Sequence, residues 1–532
     1  MAEEPTKAVR GTGRIAVLVV HGMGNQRPAA TTREFVRAAW TMDATISDDP
    51  EKVWVVPDRD ETDLDLPVFT TKGIADQDNR RVDFYEFYWA HVMAETRWVS
   101  IFLWLFELLR KGPGGARWDI KVAWFIAAPL FVAVVLGAVL VLSQLAAWIG
   151  GRFALDNAAA AIAVPWVLAA VVMFVAGGRY GIACLGFVAA LVVAGALLAN
   201  NGSLEADAIL FRIGDWESLI VALGLIALYV AANAVFLETV LGDAARYYRD
   251  APANIAVRRQ ARRLGVRTLE RLHGDGRYDR VIVVAHSLGS VIAYDVLRAY
   301  WARFSRAVGD IVPSAEFAEQ DDVGTAIGAG KPIPMDEEAR TEWRARARRL
   351  APWLSAIAAT APVAPPPAET PFGGRRAPPS WLVTDFITCG SPLTHAAYLG
   401  IDATTAGKRR ERFRRKRLDR ELPQNPAWRE DDSGTMSFID AEKETRRLHH
   451  AGLFGATRWT NLYFKSRLLV GDPIGGPLAH AFGEGVLDVP VTINGKLPPF
   501  SHSKYWDLHR HPDGEHLKAF RHALDLRDRD TL

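Results

Sequence analysis

Hydrophobic positions along the chain form short runs of strand length and much longer runs. The short runs lie around Ile15–Val20, Val53–Val56 and Val82–Trp89, and a helical pattern lies near Arg33–Met42. A further segment, Val281–Asp295, reads VIVVAHSLGSVIAYD, in which an apolar strand pattern leads directly into a helix. Periodicity therefore predicts strands and helices before residue 100 and again after residue 250.

The longer runs contain no charged residue. They cover residues 122–151, 157–178, 180–204 and 218–237. A run of about 20 apolar residues is long enough to cross a hydrocarbon core of ~30 Å. We therefore predict four transmembrane helices, with buried helices in a large core as the alternative.

Charge is distributed unevenly beside these runs. Taken as a whole, 49% hydrophobic residues, 23% charged residues and a net charge of +2 would suit a soluble globular chain. Basic residues, however, gather before the first run and after the last, at Arg110, Lys111, Arg117, Lys121, Arg246, Arg249, Arg258 and Arg259. The positive-inside rule then predicts that the parts outside the runs face the cytoplasm. With only two cysteines, no disulfide framework is expected.

Ser287 is the candidate nucleophile, because it stands between a predicted strand and a predicted helix. Its neighbours Ala285 and Gly289 are small, as a tight strand-to-helix turn requires. The amides at the start of the following helix would face negative charge that develops on a reacting group. The alternative is an ordinary turn that happens to contain serine.

The segment around Ser287 resembles the nucleophile turn of lipase-like serine hydrolases in the α/β-hydrolase superfamily, which reads His-Ser-Leu-Gly as His286 to Gly289 do here. That resemblance implies an α/β-hydrolase fold, a mostly parallel sheet flanked by helices. Four other segments match in order, and they read RIAVLVVHGMGNQ (14–26), WLVTDFITCGSPL (381–393), RWTNLYFKSRLLVGDPIG (458–475) and FSHSKYW (500–506).

The resemblance also implies the roles of individual residues. Ser287 would be the nucleophile, His502 the base and Asp472 the acid that orients it, with Asp488 as the alternative acid. His21 and Gly22 would open a loop that approaches the nucleophile, and the amides of Met23 and Leu288 would bind the oxyanion. Other late histidines lie mostly in polar stretches that suit solvated surface, namely His480, His509, His511, His516 and His522.

One catalytic domain would then consist of two parts, residues 1–97 and 241–532, on either side of the insertion 122–240. Residues 98–121 are a possible interfacial helix, and a helix packed on the sheet is the alternative. Residues 310–379 suit a lid or loop insertion because they end in a segment dense in proline and glycine. The basic segment 408–420 suits either contact with anionic headgroups or a solvated helix face.

Other classes of site have little support. His449 and His450 lack ligand spacing, and the alternating pair His509 and His511 is interrupted by Pro512, so no metal is expected. No glycine-rich phosphate loop follows a strand, and no cofactor is expected. The basic segment has no accompanying aromatic or fold signature of nucleic-acid binding.

The combined prediction is a membrane-integrated serine hydrolase that cleaves ester bonds of a lipid or other amphiphile through an acyl-serine intermediate. Membrane lipids and the amphiphilic substrate are the expected partners, and the oligomeric state is left open. A thioesterase or peptidase of the same fold is one alternative. A non-catalytic hydrolase-like scaffold around the membrane helices is another, and a transport bundle regulated by the hydrolase is a third.

Overall fold

The computed structural model describes residues 13–23, 27–57, 67–75, 80–93, 252–322, 335–360, 380–401, 405–427, 434–467, 470–499, 501–508 and 513–527, with a few positions between 111 and 247. The chain divides into two compact units. One contains Met1–Ala94, Asp250–Ile401 and Arg410–Leu532, and the other contains Glu95–Arg249 and Asp402–Arg409. All that follows on strands, core and site concerns the first unit.

Eleven strands occur among the described residues. They are β1 (Arg14–Val20), β2 (Val53–Pro57), β3 (Pro67–Thr71), β4 (Arg81–Phe87), β5 (Arg280–His286), β6 (Asp310–Ile311), β7 (Val383–Cys389), β8 (Ser437–Asp440), β9 (Thr445–Leu448), β10 (Arg458–Phe464) and β11 (Leu487–Val491). Eight form one sheet in the order β2-β3-β4-β1-β5-β7-β10-β11, and β6, β9 and β8 form a small second sheet. In the described large sheet, seven strands run in one direction and β3 runs in the opposite direction.

Helices cover both faces of the large sheet. The α-helices are α1 (Ala30–Val36), α2 (Pro252–Gly274), α3 (Leu288–Val308), α4 (Ala315–Asp322), α5 (Glu337–Thr360), α6 (Ala396–Leu399), α7 (Ala406–Leu418), α8 (Ala479–Phe482) and α9 (Glu515–Leu524). A π turn (Arg37–Thr41) extends α1, and 3-10 turns cover Ala90–Met93, Pro392–His395, Gly452–Gly455 and Ser501–Ser503.

The central strands are apolar because helices bury them on both sides. In β1, β5 and β7 nearly every residue is buried, and such continuous apolar runs are typical of parallel strands inside a layered fold. Phe35 of α1 and Phe520 of α9 join the core on one face, with ring centroids 5.0 Å apart. On the other face, Tyr294 of α3 lies 5.7 Å from Trp459 of β10. The α/β class predicted from the sequence is confirmed.

Several sequence predictions fall outside the described residues. They include the four charge-free runs, most of the possible interfacial helix at 98–121 and the proline-rich end of the 310–379 segment. Within the described part of the chain, no helix has both the length and the apolar character needed to span a bilayer. The described portions of 310–379 hold β6, α4 and α5, and the basic segment 408–420 is largely helix α7.

A buried ion network ties together the amino ends of three adjacent strands. The Asp385 carboxylate of β7 forms ion pairs with Arg280 Nη2 of β5 and with Arg458 Nη2 of β10, each at 2.6 Å. Arg280 Nη1 also donates to the Asp525 carbonyl oxygen at 2.7 Å, and Arg348 Nη1 meets the Asp525 carboxylate at 2.7 Å. Burial raises the pKa of Asp385, but the two arginines outweigh it and hold that pKa well below its usual range.

We expect Asp385→Asn to destabilise the protein strongly, because two buried guanidinium groups lose their shared countercharge. Breaking a buried pair on one side costs about 3–5 kcal/mol. Thermal unfolding followed by tryptophan fluorescence measures the effect. Glu342→Gln, which removes an exposed pairing partner of Arg346 and Arg349, serves as the control and should leave the melting temperature nearly unchanged. Equal melting temperatures for the two variants would contradict the importance of the network.

Candidate active site

Ser287 forms the turn between β5 and α3. Its backbone is in an unusual conformation, with φ 53° and ψ −132°, which costs about 1–3 kcal/mol for a residue other than glycine. The turn is held because the Ser287 amide donates to the Cys389 carbonyl at 3.0 Å and the Ser290 amide donates to the Ser287 carbonyl at 3.0 Å. The side chain therefore stands at the N-terminus of a 21-residue helix.

The small neighbours of Ser287 have a steric explanation. A Cβ atom at Gly289 would lie 2.2 Å from the His21 carbonyl oxygen and 2.7 Å from that of Val20. Only glycine fits, because the first turn of α3 packs against the backbone at the end of β1. Ala285 is fully buried in β5, where it pairs with Val20.

The structure brings together the three residues predicted as nucleophile, base and acid. His502 Nε2 lies 2.8 Å from Ser287 Oγ, and His502 Nδ1 lies 3.0 Å from each carboxylate oxygen of Asp472. Ser287 and Asp472 are almost wholly buried, whereas the His502 side chain is 21% exposed. A hydroxyl, an imidazole and a carboxylate in this order can pass a proton from serine to histidine.

Asp472 remains ionised at neutral pH. Burial raises its pKa, but the attraction of His502 and several hydrogen bonds outweigh burial and lower the pKa to about 2. Tyr505 Oη donates to Asp472 Oδ2 at 2.7 Å, and the Ile474 amide donates to Oδ1 at 2.9 Å. An ionised Asp472 accepts the Nδ1 proton of His502, which leaves Nε2 to accept a proton from serine.

Two glycines make room for the acid. A Cβ atom at Gly390, which has φ 59°, would lie 2.7 Å from Asp472 Oδ2 and 3.1 Å from His502 Nδ1. A Cβ atom at Gly475 would also lie 2.7 Å from Asp472 Oδ2. The Gly-Ser-Pro turn after β7 therefore borders Asp472 and His502 directly.

Asp488, the alternative acid, has another structural role. Its carboxylate accepts hydrogen bonds from Asn461 Nδ2 at 2.7 Å and from the amides of Leu478 and Ala479 at 2.8 to 2.9 Å. Burial raises its pKa despite these bonds. Asp488 therefore holds the start of α8, while the hydrogen bonds to His502 Nδ1 come from Asp472.

The remaining late histidines lie elsewhere in the described chain or outside it. His516 is buried in α9, with Nε2 3.0 Å from the Asp507 carbonyl oxygen. His480 lies in α8 and His522 in α9, and His509 and His511 fall outside the described residues.

The loop that contains His21 and Gly22 lies directly over Ser287. A Cβ atom at Gly22 would be 3.0 Å from Ser287 Cβ and 2.7 Å from His286 Nδ1, so a larger residue would collide with both. Met23 follows Gly22, and Leu288 is the first residue of α3, whose amide has no acceptor within the helix. The two residues predicted to bind an oxyanion therefore come from segments that flank Ser287.

His21 orients the peptide that carries the Met23 amide. Its Nδ1 donates to the Gly22 carbonyl oxygen at 2.8 Å, and its Nε2 accepts from the Trp89 amide at 3.3 Å. Trp89 stacks on the imidazole with ring centroids 4.9 Å apart, and burial lowers the pKa of His21 to about 4. Because a trans peptide is planar, fixing the Gly22 carbonyl directs the Met23 N–H to the opposite side.

His286, the residue before Ser287, contacts His502. Its Nε2 donates to the His502 carbonyl oxygen at 2.7 Å, and the two imidazole centroids are 4.9 Å apart. Burial, followed by repulsion from His502, lowers the pKa of His286 to about 3, so His286 is neutral at physiological pH. The turn that carries the serine thus also holds the backbone of the histidine.

Tyr505 contacts Asp472 and Trp89 contacts His21, and the sequence did not reveal either contact. The only signal for Tyr505 is its position three residues after His502, together with the general need of a buried phenol for a partner. Trp89 ends a predicted strand, and nothing in its sequence context points to the His21 imidazole.

Comparisons with models of known protein families, with curated proteins and with solved structures found no match. Within the described residues, no three histidine, cysteine, aspartate or glutamate side chains gather where they would hold a metal ion. The chemistry of the site is therefore inferred from its own geometry.

We expect His286→Leu to lower the rate at which Ser287 reacts with a fluorophosphonate by about ten- to a hundredfold. Without the hydrogen bond from His286, the backbone of His502 can shift, and a shift of about 1 Å can cost about a hundredfold in rate. His286→Gln retains a donor at a similar distance and should restore much of the rate. The second-order labelling rate and the melting temperature are measured for both variants. A leucine variant that labels at the wild-type rate would exclude this positioning role.

Tyr505→Phe should slow labelling about tenfold. Loss of the phenol removes one of the hydrogen bonds that hold the Asp472 carboxylate against His502 Nδ1, so the imidazole is less firmly oriented. Tyr294→Phe is the matched control, because the Tyr294 hydroxyl donates instead to the Pro423 carbonyl at 2.7 Å. The second-order labelling rate and the melting temperature are measured for both variants. If the two variants label at the same rate, the hydrogen bond from Tyr505 to Asp472 has no role in orienting His502.

Proposed function

We propose that this protein is a serine hydrolase of the α/β-hydrolase superfamily. The observation that carries this proposal is the continuous hydrogen-bonded line from Asp472 through His502 to Ser287 Oγ, with distances of 3.0 and 2.8 Å. The strained turn at Ser287 and the mostly parallel sheet support it further. These features come from residues separated by as many as 215 positions in the chain.

The reaction would begin when Ser287 Oγ attacks an ester carbonyl and His502 Nε2 takes the hydroxyl proton. The resulting oxyanion would accept hydrogen bonds from the amides of Met23 and Leu288. Each such donor contributes about 10²- to 10³-fold in rate. His502 would then protonate the departing alcohol, which leaves an acyl group on Ser287. Water activated by His502 would attack that acyl group and release the carboxylate and the free serine.

A membrane location would select amphiphilic substrates. The four charge-free runs between residues 122 and 237 are each long enough to cross a bilayer, and they separate the two parts of the catalytic unit in sequence. Both parts form one compact unit. If the runs are transmembrane helices, their number must be even, because an odd number would place Gly22 and Ser287 on opposite sides of the membrane.

The proposed arrangement is therefore an integral membrane protein with about four spans and a cytoplasmic hydrolase domain. Its substrate would be an ester in a lipid or other amphiphile that partitions into the bilayer. Thioesters and amides fit the same chemistry, so the substrate panel must include them.

We expect a fluorophosphonate probe to label the full-length chain in native membranes. Ser287→Ala should abolish labelling because the reacting oxygen is gone. His502→Ala should reduce it by several orders of magnitude because nothing then removes the serine proton. In-gel fluorescence of equal amounts of folded protein measures the result. Absence of labelling in the folded wild type would favour the non-catalytic scaffold.

The substrate class is tested separately with purified protein in uncharged detergent. Long-chain acylglycerols and phospholipids are compared with short soluble esters, a thioester and an amide. Cleavage of the soluble esters without any cleavage of lipid would support the proposed serine hydrolase activity and exclude lipids as its substrates.

A further inference from the structure

Helix α2 carries an unusual concentration of positive charge. Between Pro252 and Gly274 it contains six arginines and only one acidic residue, Glu270. Arg259, Arg263 and Arg267 follow one another at intervals of four residues, so like charges lie on neighbouring turns of one face. Such spacing destabilises a helix unless an anion lies near it.

The arginines line two neighbouring grooves. One groove of about 480 Å³ lies along α2 and is lined by Ala256, Arg259, Gln260, Arg263, Leu264 and Arg267. The other, of about 240 Å³, lies between α2 and α3 and is lined by Arg259, Arg262, Arg263, Val266, Ala299 and Arg303. No carboxylate lines either groove.

Most of these guanidinium groups lack an internal partner. Within the described part of the chain, Arg259, Arg262, Arg263 and Arg267 form no ion pair, whereas Arg303 binds Glu270 at 2.9 Å. Arg259, Arg263 and Arg267 are exposed along the helix. Planar guanidinium groups with free donors match the oxygens of phosphate in charge and geometry.

We propose that the groove along α2, lined by Arg259, Arg263 and Arg267, binds the phosphate groups of anionic phospholipids. The choice of lipid rests on the membrane location in the proposed function, because α2 begins shortly after the charge-free run 218–237. Nucleic acid fits less well, since no aromatic side chain lines either groove to stack on a base. The groove would hold the catalytic unit against an anionic membrane face.

The test uses the full-length chain in uncharged detergent. Binding is titrated with mixed micelles that contain phosphatidylcholine and increasing fractions of phosphatidylglycerol, and separately with inorganic phosphate. The groove variant combines Arg259→Gln, Arg263→Gln and Arg267→Gln, because glutamine has nearly the helix propensity of arginine. The control combines Arg37→Gln, Arg306→Gln and Arg349→Gln, which remove the same charge from exposed positions outside the groove and outside the basic segment 408–420.

We expect the groove variant to need at least about tenfold more phosphatidylglycerol for half-saturation, and the control less than about twofold more. Equal losses in both variants, or no preference of the wild type for phosphatidylglycerol, would overturn the proposal. If inorganic phosphate binds as tightly as phosphatidylglycerol does, the proposal that the ligand is a lipid is wrong. Fluorophosphonate labelling of both variants at the wild-type rate shows that the catalytic unit is folded. Carbonate extraction of the wild type from membranes tests the membrane location independently of the groove.

Discussion

The contact between the end of β1 and the first turn of α3 is the constraint on which the site is built. The backbone of His21 lies so close to the first turn of α3 that a Cβ atom would not fit at Gly289. The same approach brings Gly22 over the serine side chain. Pairing of β1 with β5 therefore fixes where Ser287, the His21-Gly22 loop and the start of α3 lie relative to one another. The paired positions Ile15 and Arg280 are 265 residues apart in the sequence.

The carboxyl ends of the parallel strands provide the remaining parts of the site. β5 leads to Ser287, β7 leads to Gly390, and β10 leads into the loop that carries Asp472. At the opposite edge, the amino ends of the same three strands are joined through Asp385 and its two arginines. The candidate site residues and the buried ion network thus occupy opposite edges of one sheet, and the ion network holds together the same three strands that lead to the candidate site.

Much of this arrangement was predictable because it follows from local patterns. The apolar runs at β1 and β5 predicted buried strands, and the resemblance around Ser287 indicated the order of nucleophile, acid and base. The hairpin strand β3 and the edge strand β11 were not predicted, since Pro67 and Pro490 interrupt short apolar stretches that lack a clear period. Local sequence patterns also do not predict contacts between distant segments. Examples are the hydrogen bond from Tyr505 to Asp472 and the one from His286 to the His502 carbonyl oxygen.

The pairing of β1 with β5 also has a consequence for synthesis of the chain. Strands β1 to β4 precede residue 95, so they leave the ribosome long before β5 exists. At translation rates of about 5–20 residues per second, β1 waits on the order of tens of seconds for its second neighbour. During that interval one edge of an apolar strand is unpaired, and such an edge readily pairs with other chains. The long segment between β4 and β5 therefore lengthens the time during which the edge of β1 is open to pairing with other chains.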